Sequence, residues 1–265
     1  MFARRSKFAK ASLISLLILF PLSMTAKEPL LSGFKENYFI TGVPLNTAPA
    51  YNTSDLTYQI SVRFNAFQYL GRRDWNIFWG YTQLSVWDVY KPSNPFRETT
   101  YMDGVYACCD RFMTGYEHRS NGRDGYDSRS LDYVFMTYLQ PLGRHCFLGA
   151  TGRFGIGSIG NVYSLEMFNR YQGYANLAFG CRGAEDRIWV KLSVTPLLAD
   201  IPANVSAEMA FRPVRNADWF YLTAQYHYGY DEAQIDCANP SAFLKSMLRF
   251  GVSVQPSSPL HRLFF

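Results

Sequence analysis

Tyr58-Gln59-Ile60-Ser61-Val62-Arg63-Phe64-Asn65-Ala66 alternates between apolar and polar side chains along most of its length. Side chains of a strand point alternately to opposite faces, so Gln59, Ser61, Arg63 and Asn65 share one face. The same period of two returns further along. Ile188, Val190, Leu192 and Val194 alternate with Trp189, Lys191 and Ser193, and Val205, Ala207, Met209 and Phe211 alternate with Asn204, Ser206, Glu208 and Arg212. Leu248, Phe250, Val252 and Val254 alternate in turn with Arg249, Gly251 and Ser253. A soluble β-sandwich gives the same pattern, because its outer face is polar.

Composition and punctuation favour the membrane version. Aromatic residues make up 17% of the chain, with 19 Tyr and 21 Phe, while the mean hydropathy is only −0.14. Many aromatics without a long apolar run suit a barrel that turns every second residue to lipid. Turn signals separate the segments at Gly71-Arg72-Arg73-Asp74, Pro141-Leu142-Gly143, Gly183-Ala184-Glu185-Asp186 and Arg215-Asn216-Ala217-Asp218, and the chain closes on Leu263-Phe264-Phe265. These signals predict an all-β fold, a transmembrane antiparallel barrel of roughly 12 strands between Thr57 and the C terminus.

The N terminus has the three parts of an export signal: basic residues Arg4, Arg5 and Lys7, an apolar stretch from Leu13 to Phe20, and small residues ending at Ala26. The expected division is therefore a signal peptide over residues 1–26 and one barrel domain over 27–265, with Lys27 to Ser54 as a periplasmic lead-in. The formal charge of +5 includes the basic signal residues and gives no ground for a nucleic-acid partner. Five Cys, at 108, 109, 146, 181 and 237, include no Cys-x-x-Cys pair. They read as small apolar fillers with one or two disulfides among them, and not as a metal site.

Chemistry concentrates in Tyr116-Glu117-His118-Arg119-Ser120-Asn121-Gly122-Arg123-Asp124-Gly125-Tyr126-Asp127-Ser128-Arg129-Ser130-Leu131-Asp132. If one strand reaches Ser120 and the next leaves near Arg129, Asp132 returns beside His118. His118 and Ser120 then share a face with Phe112 and Tyr116, the lipid-facing one, and Asp132 shares its face with Val134, Met136 and Tyr138. Polar groups directed at lipid are costly unless they have partners. Ser, His and Asp bonded in series meet that need and also make a nucleophile, a base and an orienting group. By spacing alone an ordinary polar loop with a chance His and Ser near its base is the commoner case, because His-x-Ser is a weak pattern.

His118-x-Ser120-Asn121-Gly122-Arg123 followed by Ser128-Arg129-Ser130 closely resembles the signature of the outer-membrane phospholipase A family. Further similar segments are Asn37-Tyr38, Tyr81-Thr82-Gln83-Leu84-Ser85, Ser93-Asn94-Pro95-Phe96-Arg97-Glu98-Thr99, Tyr228-Gly229-Tyr230 and Ile235-Asp236. The resemblance implies calcium-dependent hydrolysis of phospholipid acyl esters (phospholipase A1, A2 and lysophospholipase) in the bacterial outer membrane, by an enzyme active as a homodimer. It implies Ser120 as nucleophile and His118 as base. The family's third member is usually Asn, and Asp132 stands at the matching position. The resemblance further implies a calcium site of the Arg123 carbonyl, the Ser128 hydroxyl and Ser93 from a second subunit, with the Gly122 amide at the oxyanion.

The segment from Tyr101 to His118 departs from the family by being short, and its strands are expected to be short for a bilayer. Gln83 continues an apolar face set by Trp75, Ile77, Trp79 and Tyr81, so a dimer interface and the headgroup level are both open to it. The reading from another class is a barrel without catalysis, a channel or structural protein. A soluble lipase would carry a Gly-x-Ser-x-Gly elbow, and the sequence contains none.

Overall fold

The alternating segments become strands with their polar faces turned inward. Gln59, Ser61, Arg63 and Asn65 are buried, while Ile60 on the opposite face is 52% exposed. Lys191, Glu208 and Arg249 are likewise buried, and Val190, Leu192, Met209 and Phe250 point outward and are exposed. This reverses the order of a soluble protein, and lipid is the solvent that makes it stable. The sandwich alternative fails on this point.

The computed structural model describes residues 29–70, 75–125, 128–157, 169–183, 185–217, 219–230 and 244–256. The expected signal peptide, the turn at Gly71–Asp74, the Ile235-Asp236 segment, Cys237 and the terminal Leu263-Phe264-Phe265 lie outside the described residues. The strands are β1 (Leu31–Gly33), β2 (Asn37–Pro44), β3 (Asp55–Leu70), β4 (Trp75–Trp87), β5 (Phe96–Cys109), β6 (Phe112–Ser120) and β7 (Ser130–Leu142). They continue with β8 (Cys146–Gly157), β9 (Ala175–Gly183), β10 (Ile188–Pro196), β11 (Ala203–Phe211), β12 (Phe220–Tyr230) and β13 (Leu244–Val254). From β2 onward each strand pairs antiparallel with its sequence neighbours, and β13 pairs back onto β2 to close the ring. Closure pairs both edges of every strand from β2 to β13, as a hydrocarbon surrounding demands.

β1 pairs with Val62–Phe64 of β3, and β2 pairs with Asp55–Gln59 of the same strand. They are two halves of one wall strand, interrupted at Phe34-Lys35-Glu36, so the barrel has 12 strands. The expected total holds, but its start does not. Lys27 to Ser54 is no lead-in, because residues 31–44 are built into the wall. Gly42 and Pro44 weaken the strand pattern there. Gly42 is required by a close approach: a Cβ on it would lie 2.1 Å from the Leu248 carbonyl oxygen.

The interruption serves the interior, since Phe34, Lys35 and Glu36 are all buried. Phe34 joins an aromatic cluster with Phe78, Tyr106, Phe135 and Trp189. Lys35 ion-pairs with Glu117 at 3.0 Å, and Glu117 also accepts from Tyr106 at 2.6 Å and from Tyr133. Asp55 holds Arg97, Lys245 and Arg249 at 3.2–3.3 Å, so β3, β5 and β13 are joined across the lumen. Removing one member of such a buried pair typically costs about 3–5 kcal/mol, because the other charge is stranded. A disulfide, Cys146–Cys181, joins β8 and β9, and Cys108 and Cys109 are free thiols.

The β5–β6 hairpin turns at Asp110–Arg111. β5 nevertheless has 14 residues, because it begins at Phe96, and β6 has 9. A tilted strand needs about 9–11 residues to cross the bilayer core, so the expectation of overly short strands is not met.

Candidate active site

β6 and β7 pair in the register His118↔Asp132 and Ser120↔Ser130, which places imidazole and carboxylate directly opposite one another. Exposed Phe112, Tyr116, Val134 and Met136 mark the same face of the two strands, so the pair lies on the outside of the barrel. His118 Nδ1 is 2.8 Å from Asp132 Oδ1. The Tyr116 hydroxyl donates to that same oxygen at 2.6 Å. With Asp132 ionised, both partners donate, which puts the imidazole proton on Nδ1 and leaves Nε2 as an acceptor. Ser120 is two residues on along the same face, and its hydroxyl makes no hydrogen bond among the described residues. The structure thus joins His118 to Asp132 and sets Ser120 beside them without a bond to the imidazole. Such contacts commonly tighten only when substrate binds.

A register shift on β8 follows at this level: Asp132 stands opposite Gly157 and Tyr133 opposite Gly155. The extra residue, Ile156, is a bulge of the kind that re-aims side chains next to functional sites. Behind the wall, Glu117 and Arg119 point inward, and their ion pair at 3.4 Å helps fix β6 from inside.

The loop from 121 to 129 is shaped by Asn121. Its side-chain oxygen accepts from the Arg129 backbone amide at 3.0 Å and the Arg123 backbone amide at 3.3 Å, and its own backbone N–H donates to the Arg129 carbonyl at 3.0 Å. The Arg123 guanidinium reaches β5, 3.2 Å from Glu98 and 3.1 Å from the Arg97 carbonyl. Gly122 has a φ of 67°, and a Cβ there would lie 2.7 Å from the Tyr101 ring. Only glycine meets both conditions comfortably. The Ser128 hydroxyl and the Arg123 carbonyl take no hydrogen bond among the described residues, so two hard oxygens of one loop retain free lone pairs. That donor set suits calcium. Among the described residues no cluster of three or more His, Cys, Asp or Glu forms a metal centre.

Ser93 lies apart from these residues, exposed at the tip of the β4–β5 connection with a φ of 63°. That connection and the 121–129 loop are at the same end of the barrel, and the Ser93 hydroxyl has no hydrogen bond among the described residues. Gln83 has partners within its own chain: it donates to Tyr58 and Ser85 and accepts from Tyr81, each at 3.3 Å.

Three participants were not apparent from the motif. Tyr116 reads in sequence as a marker of the lipid face, yet its hydroxyl shares the Asp132 oxygen. Tyr101 stands opposite Ser120 on β5 and packs beneath Gly122. Glu98 anchors the loop through Arg123. The available signal was the Asp110–Arg111 turn, which fixes the register of β5 against β6.

A family model described as phospholipase A1 matches residues 30–243. Among solved structures, the outer membrane phospholipase dimer with bound calcium from Salmonella typhi is similar at a TM-score of 0.70 and 20% identity, over 85% of this chain and 92% of that one. Outer membrane phospholipase A from Escherichia coli gives a TM-score of 0.72 and 18% identity, over 87% and 94%. At these identities the likeness establishes the barrel fold. No curated protein sequence matches.

Proposed function

Because this chain belongs to the phospholipase A1 family, we propose that Ser120, His118 and Asp132 carry out its phospholipid hydrolysis on the outer wall of the barrel. The observation that carries this reading is the His118–Asp132 hydrogen bond on a lipid-facing surface, with Ser120 on the same face. In the first half-reaction His118 Nε2 takes the Ser120 proton as Oγ attacks the ester carbonyl. The imidazolium then protonates the leaving glyceryl oxygen, which departs as the lysophospholipid. Water, deprotonated by the same nitrogen, hydrolyses the acyl-serine and releases the fatty acid. Asp132 holds the tautomer and balances the imidazolium charge. The Gly122 amide donates to the oxyanion.

The Arg123 carbonyl and the Ser128 hydroxyl would hold calcium, together with the hydroxyl of the partner subunit's Ser93. When bound there, the ion supplies positive charge beside the oxyanion. The protein works in the bacterial outer membrane, with the 121–129 loop towards the outer leaflet, and substrate reaches the wall laterally from the lipid. A site that shares ligands between subunits makes the monomer silent and the dimer active, because an ion that favours the dimer is itself bound more tightly by it.

The test is fatty-acid release from phosphatidylcholine in mixed micelles, with calcium and with chelator. Wild type is expected to turn over only with calcium, and Ser120→Ala to lose at least about a thousandfold while remaining a heat-modifiable barrel. Full activity in Ser120→Ala would sink the mechanism, and inert wild type would favour the barrel without catalysis. Sedimentation across the same calcium titration is expected to show a shift from monomer to dimer that Ser93→Ala weakens. A balance that ignores calcium would remove Ser93 from the site.

A further inference from the structure

We propose that Asp103 is a positioning residue for the same reaction, a second carboxylate that stabilises the His118 imidazolium from the side opposite Asp132. The proposal rests on the assignment of His118 as base. Asp103 stands directly opposite His118 in the β5–β6 register, as Asp132 does in the β6–β7 register. Directly opposed residues of antiparallel strands keep their Cβ atoms about 4.5–5.5 Å apart. Asp103 lies on the outward face, between Tyr101 and Val105, and Val105 is 53% exposed. The inward neighbour Met102 is buried.

The row across the wall at this level reads Val62, Tyr81, Asp103, His118, Asp132, Gly157. It contains no Lys or Arg. The groups facing His118 are therefore Asp103 from β5, Asp132 from β7, and Tyr116 and Ser120 from its own strand, with Tyr81 beyond Asp103. Glu117 and Arg119 face the lumen. Asp132 has its hydrogen bonds from His118 and Tyr116, whereas Asp103 takes no hydrogen bond or ion pair among the described residues. A carboxylate on a lipid-facing wall is expensive. The cation its own row offers appears only when His118 accepts the Ser120 proton. Asp103 therefore stabilises the charge-separated state and not the resting one, which is the condition for accelerating a reaction.

Depth excludes the obvious alternative, a contact with the ammonium of a phospholipid headgroup. Asp103 is level with His118, one pair of residues further from the loop end than Ser120 and its neighbour Tyr101. The headgroup lies on the loop side of the ester, so Asp103 faces acyl chain.

The experiment is the pH dependence of kcat/KM for wild type, Asp103→Asn and Asp103→Glu, each confirmed as a heat-modifiable barrel. A nearby carboxylate raises the pKa of an imidazole, and His118 acts as base only when neutral, so the acid limb of the profile reports that pKa. Asp103→Asn is expected to move the limb to lower pH by roughly 0.5–1 unit and to lower the plateau about fivefold to twentyfold. Asp103→Glu restores the charge and is expected to bring the limb back. An Asp103→Asn limb that coincides with wild type, or moves to higher pH, overturns the proposal whatever the plateau does. If Ser120→Ala is inactive in the same assay, that failure touches Asp103 alone; an active Ser120→Ala would instead remove the parent mechanism.

Discussion

Along β10 to β13 the exposed outward side chains include Val190, Leu192, Met209, Leu222, Phe250 and Val252, and none of the outward side chains there is ionisable except tyrosine. Along β4 to β7 the outward row reads Tyr81, Asp103, His118 and Asp132, and Gln83, Tyr101 and Ser120 stand one row nearer the loops. Both walls use the same pleat and the same closed ladder. The first is what lipid requires of any barrel. The second places ionisable groups where lipid penalises them, so these residues serve something other than the fold. Polar groups on this wall also answer one another: Gln83 bonds Tyr81 and Ser85 along β4 and Tyr58 across to β3, and Asp132 bonds Tyr116 and His118 across to β6.

The comparison breaks if the polar wall tolerates change as the plain wall would. The largest effect short of removing the nucleophile is expected at Gly122. An added Cβ meets both the positive φ and the Tyr101 ring, so Gly122→Ala should lower kcat by about 10²–10³, the usual loss of an oxyanion donor, with the barrel intact. Turnover within a few-fold of wild type would remove the Gly122 amide from the oxyanion site. Asp132 comes next. Asp132→Ala should cost about a hundredfold, and Asp132→Asn only about tenfold or less, because the Tyr116 hydroxyl holds the amide oxygen towards the imidazole. Equal losses would mean that charge, and not the hydrogen bond, is what His118 needs.

The smallest effect on turnover belongs to the plain wall. Leu192→Arg is expected to destabilise the barrel by roughly 2–4 kcal/mol while leaving activity per folded molecule unchanged. Denaturant titration in detergent with a parallel turnover assay checks this. A large loss of turnover would show that the two walls are not independent.

The sequence revealed most where structure is local. Period-two alternation marks strands whatever they pack against, and His118, Ser120 and Asp132 belong to a single hairpin whose loop sets their register. What it obscured was non-local or irregular. The wall strand at residues 31–44 is interrupted at Phe34-Lys35-Glu36 and carries Gly42 and Pro44, so its alternation is broken and it reads as a lead-in. Gln83 stayed ambiguous because one of its partners, Tyr58, lies 25 residues away on β3, across a pairing whose register is shifted between Phe64 and Leu70. The direction of the polar face was the remaining ambiguity: alternation alone fits a sandwich or a barrel, and only ring closure between β2 and β13 turns Arg63, Lys191 and Arg249 inward.

The central claim is that Ser120 on the outer wall is the nucleophile. Its most direct test is active-site labelling with a fluorophosphonate in calcium, followed by mass spectrometry of the peptides. One adduct is expected, on Ser120, that chelation suppresses and that His118→Ala and Ser120→Ala both lack. An adduct on any other serine, or equal labelling of Ser120→Ala, would contradict it.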